Sequence, residues 1–252
     1  MNNNSIPAVA KTVELLNALA IKAQTQAQLS RDLGITMSTT YRILCTLRAA
    51  KWVRKNPDST YQLDSGLLPL VSPFQVDFFR WEAARQAVID LSSHCRLSCK
   101  LSIRRGDRQY TLFRAEPENE PVSLAGKPGS NFPLVEGSVG AALLCRESEA
   151  TIRRLCRECP ENIREKSDPD QVLALISGIR EKGYALNLAV RKWPIAAMSV
   201  PLAGPDGAPG ALTLLGAVAD FSGDRAAVYG KLLIHTAKAC EKTIAQIKGG
   251  QI

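Results

Sequence analysis

Histidine is scarce in this chain: only His94 and His235 occur in 252 residues. Neither lies in a metal-ligand or nucleophile signature. There is no G-x-S-x-G, no Walker loop and no G-x-G-x-x-G followed by an acidic residue. Catalysis is therefore not expected, and neither is a metal or cofactor. No apolar run approaches the length of a membrane span, and the polar start Met1-Asn2-Asn3-Asn4-Ser5 lacks a signal-peptide core. The expectation is a soluble, cytoplasmic chain with no membrane partner. Internal repeats and low-complexity segments are also missing. The seven cysteines are an odd number, which in a cytoplasmic chain argues against a disulfide framework.

What is present is positive charge, a net +8. Residues 1–70 carry eight Lys/Arg against four Asp/Glu, so half of the excess sits in little more than a quarter of the chain. A charge-dense N-terminal part suits a phosphate-bearing partner. The length allows one large or two small domains, each able to bury its own core.

The densest pattern runs from Thr25 to Leu63. Thr25 and Gln28 form a T-x-x-Q capping box, and Leu29 and Leu33 then fall on one helical face. Gly34 supplies the left-handed stop, Ile35 an apolar plug, and Thr36 the cap of a second helix. That helix carries Ile43, Leu44 and Leu47 on one side, and Ser38, Thr39, Tyr41, Arg42 and Thr46 on the other. Such a narrow polar face suits a major groove, where it offers donors to phosphates and base edges. An upstream helix over Ala8 to Ala20, with Val9, Val13, Leu16 and Leu19 or Ala20 at helical spacing, would close a three-helix core over Leu29, Leu33 and Leu44. Downstream, Trp52–Lys55 and Thr60–Leu63 read as strands joined by Asn56-Pro57-Asp58-Ser59. The order is that of a winged helix-turn-helix. The candidate DNA contacts are Thr25, Ser38, Thr39, Tyr41 and Arg42, with Arg54 and Lys55 on the wing.

Leu67 to Pro73 reads as a break between modules. From Phe74 to about Leu91 the pattern is helical, with Phe78, Trp81, Ala84, Val88 and Leu91 at three- and four-residue spacing. That surface packs either on a second subunit or on the chain's own C-terminal domain. Strands follow at Leu97–Ile103 and Gln109–Phe113, helices near Gly137–Cys145, Glu147–Cys159 and Pro169–Lys182, strands at Ile195–Leu202 and Pro209–Leu215, and a last helix from Asp224 to Ile247. The fold class is α+β, with an antiparallel sheet around a helical middle.

In order and spacing, AQLSRDLGITMSTTYRILCTLRAAKWVRKNPDSTYQL, then LAGKPGSNFPLVEGSVGAALL, IREKGYALN and IAAMSVPLAGPDGAPGALTLLG, the chain resembles the IclR family of bacterial transcription regulators. The resemblance implies a winged helix-turn-helix over 1–70, a linker helix over 71–92 and a GAF-like effector-binding domain over 93–252. It also implies a homodimer or homotetramer on double-stranded operator DNA, and control of a catabolic operon by a small organic acid. Matched onto this sequence, the family's effector pocket falls at Ser138, Val139, Asn187, Ala197, Thr213 and Leu215. Asn187 stands where an acid is frequent, Ala197 where a Cys is often found, and Leu215 in place of a small polar residue. These departures make the pocket more apolar, and Arg191-Lys192 set cations at its edge. The expected ligand is an aromatic or otherwise bulky carboxylic acid, its ring against Val139, Ala197 and Leu215. Its carboxylate would meet Ser138, Thr213, helix N–H groups or Arg191. Arg191 and Lys192 read equally well as a solvated loop.

A cysteine-based metal or redox sensor on the same DNA-binding scaffold is the alternative. Cys156-Arg157-Glu158-Cys159 is a C-x-x-C, and His94, Cys95 and Cys99 form a second small cluster. No second C-x-x-C accompanies the first, and Cys156 lies late in its helix, where the dipole opposes a thiolate.

Overall fold

The computed structural model describes residues 6–117, 124–159, 168–189 and 195–247. The chain forms two compact units, Met1–Gln75 and Val76–Ile252.

In the first unit, α1 (Pro7–Ile21) opens on a proline, whose missing N–H is not needed at that place. Its buried face is not the one its apolar spacing predicts. Leu15 and Leu19 are buried, whereas Val9 and Val13 are 56% and 51% exposed. Only the second half of the helix lies over the small core formed with Leu29, Leu44, Leu47 and Tyr61. Strand β1 (Gln24–Thr25) leads into α2 (Gln26–Asp32), where both halves of the Thr25–Gln28 capping box are formed. Gly34 turns the chain at φ +63°, and Ile35 is buried behind it. Thr36 caps α3 (Met37–Ala49), accepting from the Thr39 N–H at 3.3 Å. The inward side of α3 is Thr40, Ile43, Leu44 and Leu47.

The wing pairs β2 (Val53–Lys55) with β3 (Thr60–Leu63), Val53 opposite Leu63 and Lys55 opposite Tyr61. The turn is tied by the Asp58 carboxylate, which accepts from the Thr60 N–H at 3.0 Å and its hydroxyl at 2.6 Å. These bonds hold the Asp58 carboxyl below its ordinary range. Strand β1, too short to show in a sequence pattern, adds a third member through Gln24 and Thr25.

Helix α4 (Leu68–Glu82) corrects the expected break at Leu67–Pro73, since the chain is helical from Leu68. Pro69 falls in the first turn, where a backbone N–H has no helical acceptor. The expected single helix from Phe74 to Leu91 is in fact two. Helix α5 (Arg85–Cys95) begins after a break at Ala83-Ala84. Trp81, Ala84, Val88 and Leu91 all enter one core with the sheet of their own unit. The second-subunit reading fails for this stripe, although Phe78 and Phe79 stay 42% and 43% exposed.

The second unit is built on a six-stranded antiparallel sheet. Its strands are β4 (Ser98–Arg105), β5 (Arg108–Ala115), β6 (Asn131–Pro133), β7 (Ala185–Ala189), β8 (Ile195–Ala203) and β9 (Pro209–Ala217). Their spatial order is β6-β5-β4-β9-β8-β7. The short edge strands β6 and β7 were not legible from the sequence. One sheet face packs on α5 and α9 (Arg225–Gln246) through Cys99, Leu101, Phe113, Met198, Val200, Leu212 and Leu214. The other is covered by α6 (Gly137–Leu144), with α7 (Glu149–Glu158) and α8 (Pro169–Lys182) beside it. Helix α6 presses close at Gly140, where a Cβ would lie 2.3 Å from the Leu134 carbonyl oxygen. The α+β class matches the sequence reading.

Candidate functional site

Helix α3 presents Ser38, Tyr41, Arg42 and Thr46 to solvent, with Thr39 half-buried. Tyr41, 55% exposed, has its phenol raised above its ordinary pKa, chiefly by a hydrogen bond with Cys45. Not every hydroxyl of the predicted set is available for a ligand. Ser38 and Thr39 hydroxyls bond the Thr36 cap at 3.2 and 2.9 Å, and the Thr25 hydroxyl is held within the α2 capping box. Arg42, Arg54 and Lys55 are exposed. Arg54 and Lys55 border an open groove of about 540 Å³ between the end of α3 and the wing. Arg48 and Lys51 line the same groove and were missed by the sequence reading. Their signal was available: four cations fall in eight residues from Arg48 to Lys55. Among the groups bordering the groove, Asp64 is the acid that faces them. A concave strip of this charge suits a phosphate backbone.

In the second unit, cross-strand register gathers the predicted effector residues onto one face. Asn187, Ala197 and Leu215 stand side by side on β7, β8 and β9, with Ser98 of β4 next in the row. The neighbouring row is Ala185, Ser199, Thr213 and Lys100. Ser138, in the first turn of α6, joins this face from above. Its hydroxyl lies 2.8 Å from that of Ser199, which lies 2.9 Å from that of Thr213. All three are buried, so a continuous hydroxyl chain crosses this face. Val139 is buried with α6. A Cβ on Gly137, whose φ is +68°, would lie 3.4 Å from the Asn187 amide nitrogen, so Asn187 reaches the start of α6. Arg191 and Lys192 lie outside the described residues.

Three polar residues on this face were missed. Ser98 bonds the Glu116 carboxylate, Ser199 bridges Ser138 and Thr213, and Lys100 is only 7% exposed. Burial pulls the Lys100 ammonium down to about 8, against an opposing pull from Glu136.

Cys95, Cys99, Cys156, Cys159 and Cys240 are buried as small core residues, whereas Cys45 and Cys145 are only partly buried. Cys95, Cys99 and Cys240 lie in the α5/α9 layer. Burial pushes Cys95 and Cys240 up to about 11, and raises Cys99 further. Cys156 and Cys159 are buried under α6 and α8, with the Cys156 thiol also raised by burial. The thiols of Cys95, Cys99, Cys156 and Cys240, raised in this way, are poor nucleophiles or ligands near neutral pH. Among the described residues no three His, Cys, Asp or Glu side chains converge to hold a metal ion.

Comparison with known proteins decides the family. The family model for the bacterial transcriptional regulator IclR C-terminal region matches residues 81–242, and that for the IclR helix-turn-helix domain matches residues 8–57. The chain belongs to the IclR family. As an IclR-type transcriptional regulator it is a DNA-binding protein and not an enzyme. An IclR regulator from Alicyclobacillus acidocaldarius is 25% identical, with a TM-score of 0.71 over 95% of this chain and 99% of that one. An IclR homologue from Microbacterium hydrocarbonoxydans, solved as a complex with 4-hydroxybenzoate, shares the fold at 16% identity and a TM-score of 0.68, covering 94% and 99% of the two chains. A probable HTH-type transcriptional regulator ArcR from Halobacterium salinarum is 22% identical over 79% of this chain and 78% of its own length. Among the described residues no helix is long and apolar enough to cross a membrane.

Proposed function

We propose that this IclR regulator is effector-responsive: α3 reads an operator, the wing holds its phosphates, and the face beneath the start of α6 takes a small organic acid. The observation that carries the ligand half is the buried chain Ser138–Ser199–Thr213, a polar seam bordered by the apolar Val139, Ala197 and Leu215. A site of this build fixes a polar group at one end and an apolar body at the other. The 4-hydroxybenzoate bound by the Microbacterium homologue supports an aromatic acid. Control of a catabolic operon is the matching physiological role. Assembly as a homodimer or homotetramer is supported by the exposed Leu68, Leu70, Val71, Phe78 and Phe79 of α4, more apolar surface than one helix usually leaves in water.

The test is fluorescence anisotropy on the DNA upstream of the chain's own gene, with random DNA as reference, at physiological salt. Operator binding at least about a hundredfold tighter than random is expected, with release by an aromatic acid. Equal, weak binding to both DNAs, with and without acids, would defeat the proposal. In the same assay, Arg42→Ala should cost about 1–3 kcal/mol on the operator alone if the side chain reads a base. Arg54→Ala or Lys55→Ala should instead weaken operator and random DNA alike, and reduce the salt slope by about one. Equal losses on both DNAs for Arg42→Ala would reduce it to a phosphate contact.

A further inference from the structure

We infer that Lys100 receives the anionic group of the effector, in the role expected above of Arg191. The inference rests on the proposed effector site. Lys100 lies mid-strand in β4, opposite Thr213 of β9 on one side and Arg114 of β5 on the other. The register puts it on the face beneath α6, at the end of the Ser138–Ser199–Thr213 chain. It is as buried as a core residue, 7% exposed.

Among the described residues no hydrogen bond and no carboxylate within 4 Å holds its ammonium. Its Nζ stands over the Phe132 ring, 5.4 Å from the centroid, which is weak compensation for lost hydration. Glu136 attracts it electrostatically, but from beyond ion-pair distance. Lysine is rarely buried without a partner, because stripping water from the charge is costly. Here a second positive pole stands at the same place. Helix α6 begins at Gly137, its N-cap Glu136 makes no side-chain capping bond, and Ser138 of its first turn meets the same face through Ser199.

Two unsatisfied donors of like sign on one polar seam, beside the apolar Leu215 and Ala197, define a receptor for a monoanion with an apolar body. A carboxylate fits: one oxygen on the ammonium, the other on the helix N–H groups or the Ser138 hydroxyl. The ring then lies along Ala197 and Leu215.

Calorimetry on the full chain tests this with 4-hydroxybenzoate, benzoate and the uncharged 4-hydroxybenzamide, on wild type, Lys100→Met and Lys100→Arg. The acids should bind wild type, and Lys100→Met should bind them about 10- to 100-fold more weakly, as expected for a lost charge-assisted bond. The amide should bind wild type and Lys100→Met equally. Lys100→Arg should recover part of the acid affinity. Acids that bind wild type and Lys100→Met alike would overturn the assignment and leave the effector site standing. Wild type that binds no member of an extended panel of small acids would overturn the effector site, and the assignment with it. Circular dichroism of Lys100→Met, unchanged from wild type, removes misfolding as the cause of a loss.

Discussion

Replacing Trp81 by alanine is expected to destabilise the C-terminal unit by about 3–5 kcal/mol, the range for emptying a large buried aromatic site. Trp81 lies in the last turn of α4 and is 2% exposed. Its ring fills a slot that exists only because glycines face it. A Cβ on Gly204 would lie 2.0 Å from Trp81 Cζ2, and one on Gly210 2.5 Å from Cη2. Both glycines flank the β8–β9 turn, so the indole clamps the end of the helix to the centre of the sheet. Beside it, Arg80 reaches Asp206 in the same turn at 2.9 Å, but Asp206 is exposed and the pair adds little. Backbone on both sides of the slot cannot collapse into the void, which places the cost near the top of the range. Differential scanning calorimetry should show the main transition falling by about 10 °C. A shift of less than about 1 °C would mean that the slot closes and the clamp is unimportant. Gly210→Ala should fail for the converse reason, an atom with no room.

Lys100→Met is expected to stabilise the ligand-free protein, by up to about 3 kcal/mol near pH 7. Burial lowers the lysine from 10.5 to about 8 in the folded chain. Below pH 8 both folded and unfolded chains carry the proton, and the full penalty of the buried charge is present. Between pH 8 and 10.5 the folded chain has released the proton while the unfolded chain still holds it. Wild-type stability from this group therefore rises with pH through that window. The advantage of Lys100→Met should be largest at pH 7 and vanish by about pH 10.5. The charged groups around Lys100 are Arg114 on β5, Glu116 just past the end of that strand, and Glu136 at the start of α6. Losing the attraction to Glu136 takes something from the gain. Urea unfolding of both proteins at pH 7 and pH 10 checks the sign. Equal stability at both pH values would mean that water already solvates the ammonium. A residue that costs stability and is kept in the core is understandable where binding uses the charge, as the proposed effector site would.

The helix-turn-helix half was legible because its signals are local. Caps at Thr25 and Thr36, the left-handed Gly34 and the turn at Pro57-Asp58-Ser59 each act within a few residues, so the sequence alone places them. The face of α1 was not legible, because Val9 and Leu15 both fit a helical stripe and only the extent of the small core selects between them. Pro69 marked a helix start rather than a break, since at a helix's first turn a proline costs nothing.

In the second unit the sequence determined the alternation of β4: Cys99, Leu101 and Ile103 to one side, Ser98, Lys100 and Ser102 to the other. Read alone, that alternation describes a strand with one wet face. Tertiary structure decided otherwise. Helix α6 packs over the polar face, and both sets of side chains are buried. Registers across four strands then bring Asn187, Ala197, Leu215, Ser199, Thr213 and Lys100 within one patch, although they span more than a hundred residues of sequence. Local pattern carries the period of a strand, but not what lies against it. The cost of burying a charge, and the ligand that would relieve it, arise only once the layers close.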